Sequence, residues 1–436
     1  MHKRTLTDKI SSKDATIGII GLGYVGLPLA VEFAKKGFKS VGIDVDKRRV
    51  KEINSGSSYI LDIQTEELSP LVKDGLLRAS SNYSVLKKMD AIIICVPTPL
   101  RKTKEPDMSF VISASEEIAK NLRQGQVIVL ESTTYPGTTD EVILPILTRT
   151  GLKAGKDFYL GFSPERIDPG NEVYKTKDIP KVVSGVTPDC VDVIKCLYSQ
   201  IIEHIIPVSS TKVAEMVKLL ENTFRGVNIG LTNELALMCD KLGIDVWEVI
   251  EAAKTKPFGF MAFYPGPGWG GHCIPIDPIY LAWKARIHGF EPRFIDLASQ
   301  INSSMPAHVV ERATRALNRF GKAVKGSKIL IIGVAYKRDV TDTRESPAFE
   351  IIKLFKERGA LISYYDPFVP ILKLDGQTLK SVKLTASVLK NKDCALIVTD
   401  HSTIDYKFIV DNAKFVFDAR NALRHIYTNR HKIERL

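Results

Sequence analysis

Two stretches of the chain alternate short apolar runs with helical patterning, and that alternation demands parallel sheets with crossover helices. In the first stretch the strand-like runs are Thr16–Ile20, Lys39–Ile43, Ala91–Val96 and Val127–Leu130. In the second, from about Ser327, they are Lys328–Ile332, Leu361–Tyr365, Ala395–Val398 and Phe415–Phe417. The stretches echo each other. Asp90-Ala-Ile-Ile-Ile-Cys parallels Asp393-Cys-Ala-Leu-Ile-Val, and Gly21 and Gly333 each end an opening strand. Between them Lys212–Leu242 runs without proline, with Val213, Val217, Leu220 and Phe224 at helical spacing. A helix of that length spans about 45 Å, enough to bridge two domains. After it, Pro257–Pro278 is a loop dense in glycine, proline and aromatics, and such loops in ordered domains usually serve function.

The first turn carries Gly21-Leu22-Gly23-Tyr24-Val25-Gly26, a G-x-G-x-x-G between strand and helix, with Asp44 closing the second strand 18 residues after Gly26. Gly21 allows the tight turn, Gly23 lets backbone approach a pyrophosphate, and Gly26 lets helix and strand pack closely. The helix N-terminus offers N–H groups and the positive end of its dipole. Asp44 suits an adenosine ribose and repels a 2′-phosphate, which favours NAD over NADP. Arg48 and Arg49 pull the other way unless they are solvated helix residues. The expected fold class is α/β, with two Rossmann-like parallel-sheet domains joined by a long central helix and a helical middle domain. The expected boundaries are 1–207 for NAD binding, 208–325 for the helical middle and 326–436 for the second Rossmann-like unit. The 436 residues match about three folding units.

Composition is globular, with 44% hydrophobic and 25% charged residues. The formal charge of +11 admits nucleic acid, an anionic membrane or a phosphorylated small molecule as partner. There is no helix-turn-helix, zinc finger or clustered basic arm, so nucleic acid is not expected. The uncharged run Ile17–Val31 is too short to span a bilayer, and the polar start of the chain has no apolar leader segment. Six cysteines, at 95, 190, 196, 239, 273 and 394, form no C-x-x-C pair or zinc spacing. No metal site, reduced thiols and a cytoplasmic location are expected.

The most informative segment is Gly268-Trp269-Gly270-Gly271-His272-Cys273-Ile274-Pro275-Ile276-Asp277. A cysteine after two glycines can present its sulfur to a substrate, with a carboxylate four residues on for proton transfer. Burial is the ordinary fate of a free cysteine and is expected of the other five. A protease dyad of His272 and Cys273 is disfavoured, because adjacent residues seldom point the same way.

With these motifs the chain resembles the UDP-glucose/GDP-mannose dehydrogenase superfamily from about Thr16 to about Ala422. Within it the chain looks most like the UDP-N-acetylglucosamine 6-dehydrogenase group. The segments that carry this are Glu131-Ser-Thr-Thr-Tyr-Pro-Gly137, Ser163-Pro-Glu-Arg-Ile-Asp-Pro-Gly170 and Lys256-Pro-Phe-Gly-Phe-Met261 with Tyr264-Pro-Gly-Pro-Gly268. The resemblance implies a four-electron oxidation of a UDP-sugar C6 alcohol to a carboxylate, with two NAD reduced, in surface-polysaccharide synthesis. It implies that Cys273 traps the aldehyde as a thiohemiacetal and then carries a thioester. Lys218 and Asn222 match an oxyanion-stabilising pair, one helical turn apart. Glu165 matches a glutamate that activates or positions water. Thr133 and Asp277 match positions that organise water and proton transfer.

By the same resemblance the cofactor residues are Gly21, Gly23, Tyr24, Val25, Gly26, Asp44, Arg48, Thr98 and Thr133. The substrate residues are Glu165, Arg166, Lys218, Asn222, Tyr264, Gly268, Tyr336, Lys337, Arg344 and Arg420. Gly333-Val-Ala-Tyr-Lys-Arg338 replaces the dinucleotide motif in the second unit, which in the family binds UDP. There Tyr336 would stack on uracil, Lys337 would pair with diphosphate, and Arg344 would face the active-site cleft. A surface salt bridge is the plain alternative for either arginine. Two departures weaken a UDP-glucose assignment: Pro169 replaces a second glutamate, and Pro257 stands near the place of an arginine. UDP-N-acetylmannosamine, UDP-glucose and UDP-N-acetylgalactosamine remain alternatives. The helical middle is expected to form a homodimer. Phosphogluconate- or hydroxyacyl-CoA-type dehydrogenases share the opening layout but need no nucleophilic cysteine. A non-catalytic nucleotide-sugar-binding regulator need not keep Cys273, Lys218, Asn222 and Asp277 together.

Overall fold

The computed structural model describes residues 2–60, 63–166 and 178–436. The chain divides into two compact units, Met1–Glu221 with Ile279–Gly289, and Asn222–Pro278 with Phe290–Leu436. The first holds strands β1 (Thr16–Ile20), β2 (Lys39–Ile43), β3 (Leu77–Ser80), β4 (Ala91–Ile94), β5 (Val127–Leu130), β6 (Tyr159–Phe162), β7 (Lys181–Gly185) and β8 (Ile205–Pro207). They form one sheet in the order β3-β2-β1-β4-β5-β6-β7-β8. Every pairing is parallel except β6 with β7. β4, β5 and β6 are buried throughout, as expected of strands covered on both faces.

The second unit holds β9 (Lys328–Ile332), β10 (Leu361–Tyr365), a hairpin of β11 (Ile371–Leu374) and β12 (Gln377–Lys380), then β13 (Cys394–Ile397), β14 (Val416–Asp418) and β15 (Ile433–Arg435). Apart from the hairpin these make a five-stranded parallel sheet, β10-β9-β13-β14-β15. The 27-residue helix Arg293–Arg319 buries Val309, Val310, Ala313 and Leu317 in this sheet's core. The expected long helix spans Thr211–Leu242. Strand ends shift from expectation by one or two residues: β4 stops at Ile94, β13 starts at Cys394 and β14 starts at Val416. The apolar runs continue into the loops at the sheet edge, so hydrophobicity overstates strand length.

The polar start of the chain is more than a solvated leader. His2–Ser11 is a helix whose Leu6 and Ile10, four residues apart, sit in the same core as Phe33, Phe38 and Tyr198. Lys3 adds ion pairs of 2.7 and 2.6 Å to Asp189 and Asp192. These are surface pairs, so the apolar contacts do most of the docking. Replacing the fully buried Ile10 with alanine should lower unfolding free energy by about 2–4 kcal/mol in urea titrations. A change below about 0.5 kcal/mol would mean the helix is not part of the cooperative unit.

Candidate active site

The first glycine turn is shaped by two close approaches. Gly21 has φ +93°, and a Cβ there would overlap the Cys95 carbonyl oxygen. A Cβ on Gly26 would overlap the Gly21 carbonyl oxygen. Gly23 differs: a Cβ there meets no protein atom within 4 Å. The protein's own packing therefore does not require glycine at 23, and the room above it suits a pyrophosphate. The helix that follows, Gly26–Lys35, begins at Val25 without a side-chain cap or an acidic first turn, so its positive end is not neutralised from within. Tyr24 is exposed beside it, and Thr98 is buried just beyond β4. Buried Asp44 accepts from Leu22 N at 2.9 Å and Asp46 N at 2.8 Å. Tyr59, a residue that no motif marks, donates to the Leu22 carbonyl at 2.5 Å. These features fit NAD. Of the two arginines, Arg49 reaches Asp44 at 3.3 Å, while Arg48 pairs with Asp46 and is 88% exposed.

Beyond β5 and β6 the first unit gathers a second group. Half-buried Thr133 follows β5. Lys218, buried on the long helix, donates to the Glu165 carbonyl at 2.6 Å. Glu165 Oε1 accepts from Arg166 N at 2.7 Å. The Arg166 guanidinium, expected to meet substrate, is forked onto Glu221 at 2.6 and 3.3 Å and donates to the Pro180 carbonyl at 2.7 Å. One turn before Lys218, buried Glu215 accepts from Gly137 N, Thr139 N and Thr139 Oγ1 at 2.5, 2.9 and 2.8 Å. It thereby ties the loop after β5 to the helix that carries Lys218. Burial pushes its carboxyl up to about 7 against those hydrogen bonds. Pro169 lies outside the described residues, as does the end of its segment from 167 onward.

The second unit holds the cysteine loop. Cys190, Cys239, Cys394 and Cys95 are buried as expected, whereas Cys196, beside Thr7, and Cys273 are half-buried. The Cys273 carbonyl accepts from Ile276 N and Asp277 N, at 3.1 and 2.8 Å, in a turn that opens the helix Asp277–Ile287. Asp277 is fully buried and receives the Asn222 amide at 2.5 Å. The loop is moored by Asn233, whose Oδ1 accepts from Gly266 N at 2.9 Å and whose Nδ2 donates to Asn302 at 2.7 Å. Gly268, at φ +127°, packs on the Asn302 carbonyl and Pro347. Gly271 leaves no room for a Cβ against the Tyr336 ring, and its N–H donates to the Arg344 carbonyl at 3.0 Å. Tyr336 and Arg344 thus buttress the cysteine loop. The Arg344 guanidinium, expected to face the cleft, folds onto Asp342 two residues back at 2.7 Å. Lys337 is half-buried next to Tyr336. Arg420 donates to the Val398 carbonyl at 3.1 Å and lies against Gly266. Tyr264 stacks on Trp247 and donates to Glu251 at 2.7 Å.

The second unit also repeats the first glycine turn. Gly333 N donates to the Tyr365 carbonyl as Gly21 N does to Ile43, and Val334 N donates to Asp366 as Leu22 N does to Asp44. Here, however, buried His401 occupies the acid. Its Nδ1 accepts from Asp339 N at 2.9 Å, which leaves Nε2 as donor to Asp366 at 3.0 Å. The acid that corresponds to Asp44 is thus occupied by a buried side chain. Among the described residues no three His, Cys, Asp or Glu side chains group to hold a metal ion.

Two outcomes follow. Gly23→Ala should keep wild-type thermal stability but weaken NAD binding by at least about tenfold in calorimetric titration, whereas Gly26→Ala should destabilise the fold itself. Glu215 binds its proton more tightly folded, at about 7, than at the ordinary 4.5. Its contribution to stability is therefore full below pH 4.5 and is lost as pH rises through about 7. Glu215→Gln should remove a pH dependence on the order of 3 kcal/mol across that window in urea unfolding. Parallel curves for the two proteins would contradict this.

Comparison with known proteins places these features in a family. The UDP-glucose/GDP-mannose dehydrogenase family matches in three consecutive parts: its NAD binding domain over 15–202, its central domain over 212–304 and its UDP binding domain over 330–425. UDP-N-acetyl-D-glucosamine 6-dehydrogenase of Pseudomonas aeruginosa is 39% identical over 361 residues, 82% of this chain and 84% of that protein. UDP-N-acetyl-D-mannosamine dehydrogenase of Methanococcus maripaludis is 36% identical over 422 residues, 94% and 93% of the two chains. The solved structure of a UDP-D-ManNAc dehydrogenase from Pyrococcus horikoshii superposes with a TM-score of 0.85 at 33% identity, covering 93% of this chain and 96% of that one. The chain belongs to the UDP-glucose/GDP-mannose dehydrogenase family and is an NAD-dependent UDP-sugar dehydrogenase.

Proposed function

We propose that the substrate is UDP-N-acetylglucosamine, oxidised at C6 to the uronic acid for surface-polysaccharide synthesis in the cytoplasm. The observation that carries the chemistry is the turn at Cys273, which presents a half-buried thiol and delivers buried Asp277 onto Asn222. Gly23, the uncapped helix start and Asp44 hold NAD. When bound, NAD supplies the hydride acceptor, one equivalent for each of two oxidations. The C6 hydroxyl passes its proton to water as hydride leaves the carbon, and Thr133 and Asp277 are assigned to organising water and proton transfer. The Cys273 thiolate then adds to the aldehyde carbon, forming a C–S bond and an oxyanion. Lys218 and Asn222 are the donors for that charge, a role worth on the order of 3 kcal/mol per donor. Loss of a second hydride gives a thioester. Water activated by Glu165 attacks it, the C–S bond breaks, and the thiolate returns to Cys273. In sum, alcohol and water yield a carboxylate, two hydrides and three protons.

Tyr336, Lys337, Arg420 and Tyr264 are assigned to the UDP-sugar, as are Arg166, Arg344 and Gly268, which act through the backbone or a buttressing contact. The three-part domain scheme, 1–207, 208–325 and 326–436, belongs to the same reading. A UDP-N-acetylmannosamine substrate is the second reading, favoured by relatives of that name which match over more of the chain. A homodimer is supported by an exposed apolar stripe on the long helix, Val213, Met216, Leu220, Phe224, Leu231, Met238 and Leu242, at spacings of three, four and seven. Among the described residues no helix is long and apolar enough to cross a membrane.

The test is NADH formation over UDP-N-acetylglucosamine, its manno and galacto epimers and UDP-glucose. Two NADH per UDP-N-acetylglucosamine are expected, with Cys273→Ala abolishing the four-electron reaction. One NADH per sugar, or turnover of UDP-glucose alone, would overturn the proposal. Light scattering that finds only monomer would refute the dimer.

A further inference from the structure

We propose that Lys181 is a positioning residue for Glu165, and that it does so by balancing a second buried carboxylate, Glu131. The inference rests on the reading of Glu165 as the residue that activates water.

The sheet's single reversal places the lysine. β6 and β7 pair antiparallel, Gly161 with Gly185 and Phe162 with Ser184. Carried forward, that register sets Lys181 opposite Glu165. Ser163 Oγ donates to the Val182 carbonyl at 2.8 Å just short of that point. Parallel strands bring only their carboxyl ends to the edge where such sites form. An antiparallel strand brings its first residue there instead, and the first residue of β7 is Lys181.

The contacts are buried and specific. The Lys181 ammonium is ion-paired with Glu131 and lies 3.4 Å from Glu165 Oε2. Tyr198 donates to the other Glu131 oxygen at 2.7 Å, and its ring centroid is 5.1 Å from the ammonium. Lys181, Glu131, Glu165 and Tyr198 are all buried, and Cys95 is buried near them with its thiol held protonated by burial. Burial likewise pushes the Glu131 carboxyl above its ordinary range, against the pull of Lys181. Burial opposes the charge on Lys181, and Glu131 and Glu165 together favour it. Two carboxylates thus share one cation out of water. Without Lys181 the charge between the two carboxylates is gone, and Glu165 Oε2 loses its contact with the ammonium.

Steady-state kinetics and intact-mass spectrometry of the full chain test this with UDP-N-acetylglucosamine and NAD. Lys181→Met should leave KM within about threefold, lower kcat at least about tenfold and accumulate a uronyl thioester on Cys273. Lys181→Gln, which keeps a donor without the charge, should do the same and takes its place if the methionine variant does not fold. Lys181→Arg should restore most of kcat. Adding Glu131→Gln to the neutral variant should regain at least about threefold, because the repelling charge is gone. A folded neutral variant without adduct, a change confined to KM, or a double variant no better than the single would overturn the proposal. Glu165→Gln separates the two claims. If it gives no adduct, the reading of Glu165 fails and takes this proposal with it. If it does while the neutral Lys181 variants turn over normally, only the role of Lys181 falls.

Discussion

In each sheet a carboxylate at the tip of the second strand grips the backbone that leaves the first. Asp44 holds Leu22 N and Asp46 N, and Asp366 holds the N–H groups of Val334, Ala335, Phe368 and Val369. Both acids are buried, where water competes least for those hydrogen bonds. The grip fixes where the turn lies, and the turn lets glycine backbone rest on the carbonyl of the neighbouring strand's exit, Cys95 in one unit and Thr399 in the other. The two units share this device and part company one step later. The first leaves open room at Gly23; the second fills the corresponding acid with His401.

Much of this was legible in the residues. Four strands of each sheet, the long helix, the glycine turn and the cysteine loop announce themselves by local pattern, because periodicity and turn chemistry are local properties, whereas β3, β6, β7, β8 and β15 show only once the sheets are assembled. Lys181, Glu215, Asn233 and His401 do not announce themselves either. Each stands in an unremarkable setting, and each matters through a partner far along the chain: Glu215 meets Gly137, and Lys181 meets Glu131. The lysine heading β7 was a candidate only to a reader who knew that β7 runs backwards. The N-terminal helix is hidden in the sequence for a related reason. Two buried residues among ten leave its composition polar, and only the docked surface shows which two count.

The cationic surplus is not located by the ion pairs of the fold. Several basic side chains are committed to internal pairs, Arg166 with Glu221, Arg312 with Asp240 and Glu434, and Arg435 with Asp245. Such pairs cancel charge for charge, and nothing in the structure explains the net +11.

The long helix carries Glu215, Lys218 and Asn222 within two turns. At 3.6 residues per turn, one residue inserted between any two of them would rotate the next by about 100°. Within the first unit, Lys218 would swing away from the Glu165 carbonyl while Glu215 kept its hold on Gly137, with no loop in between to absorb the error. This rod therefore works as a ruler. Its interior tolerates exchange of one side chain for another far better than any change in count, so length variation in such a chain must gather at the helix ends and in the loops beyond them.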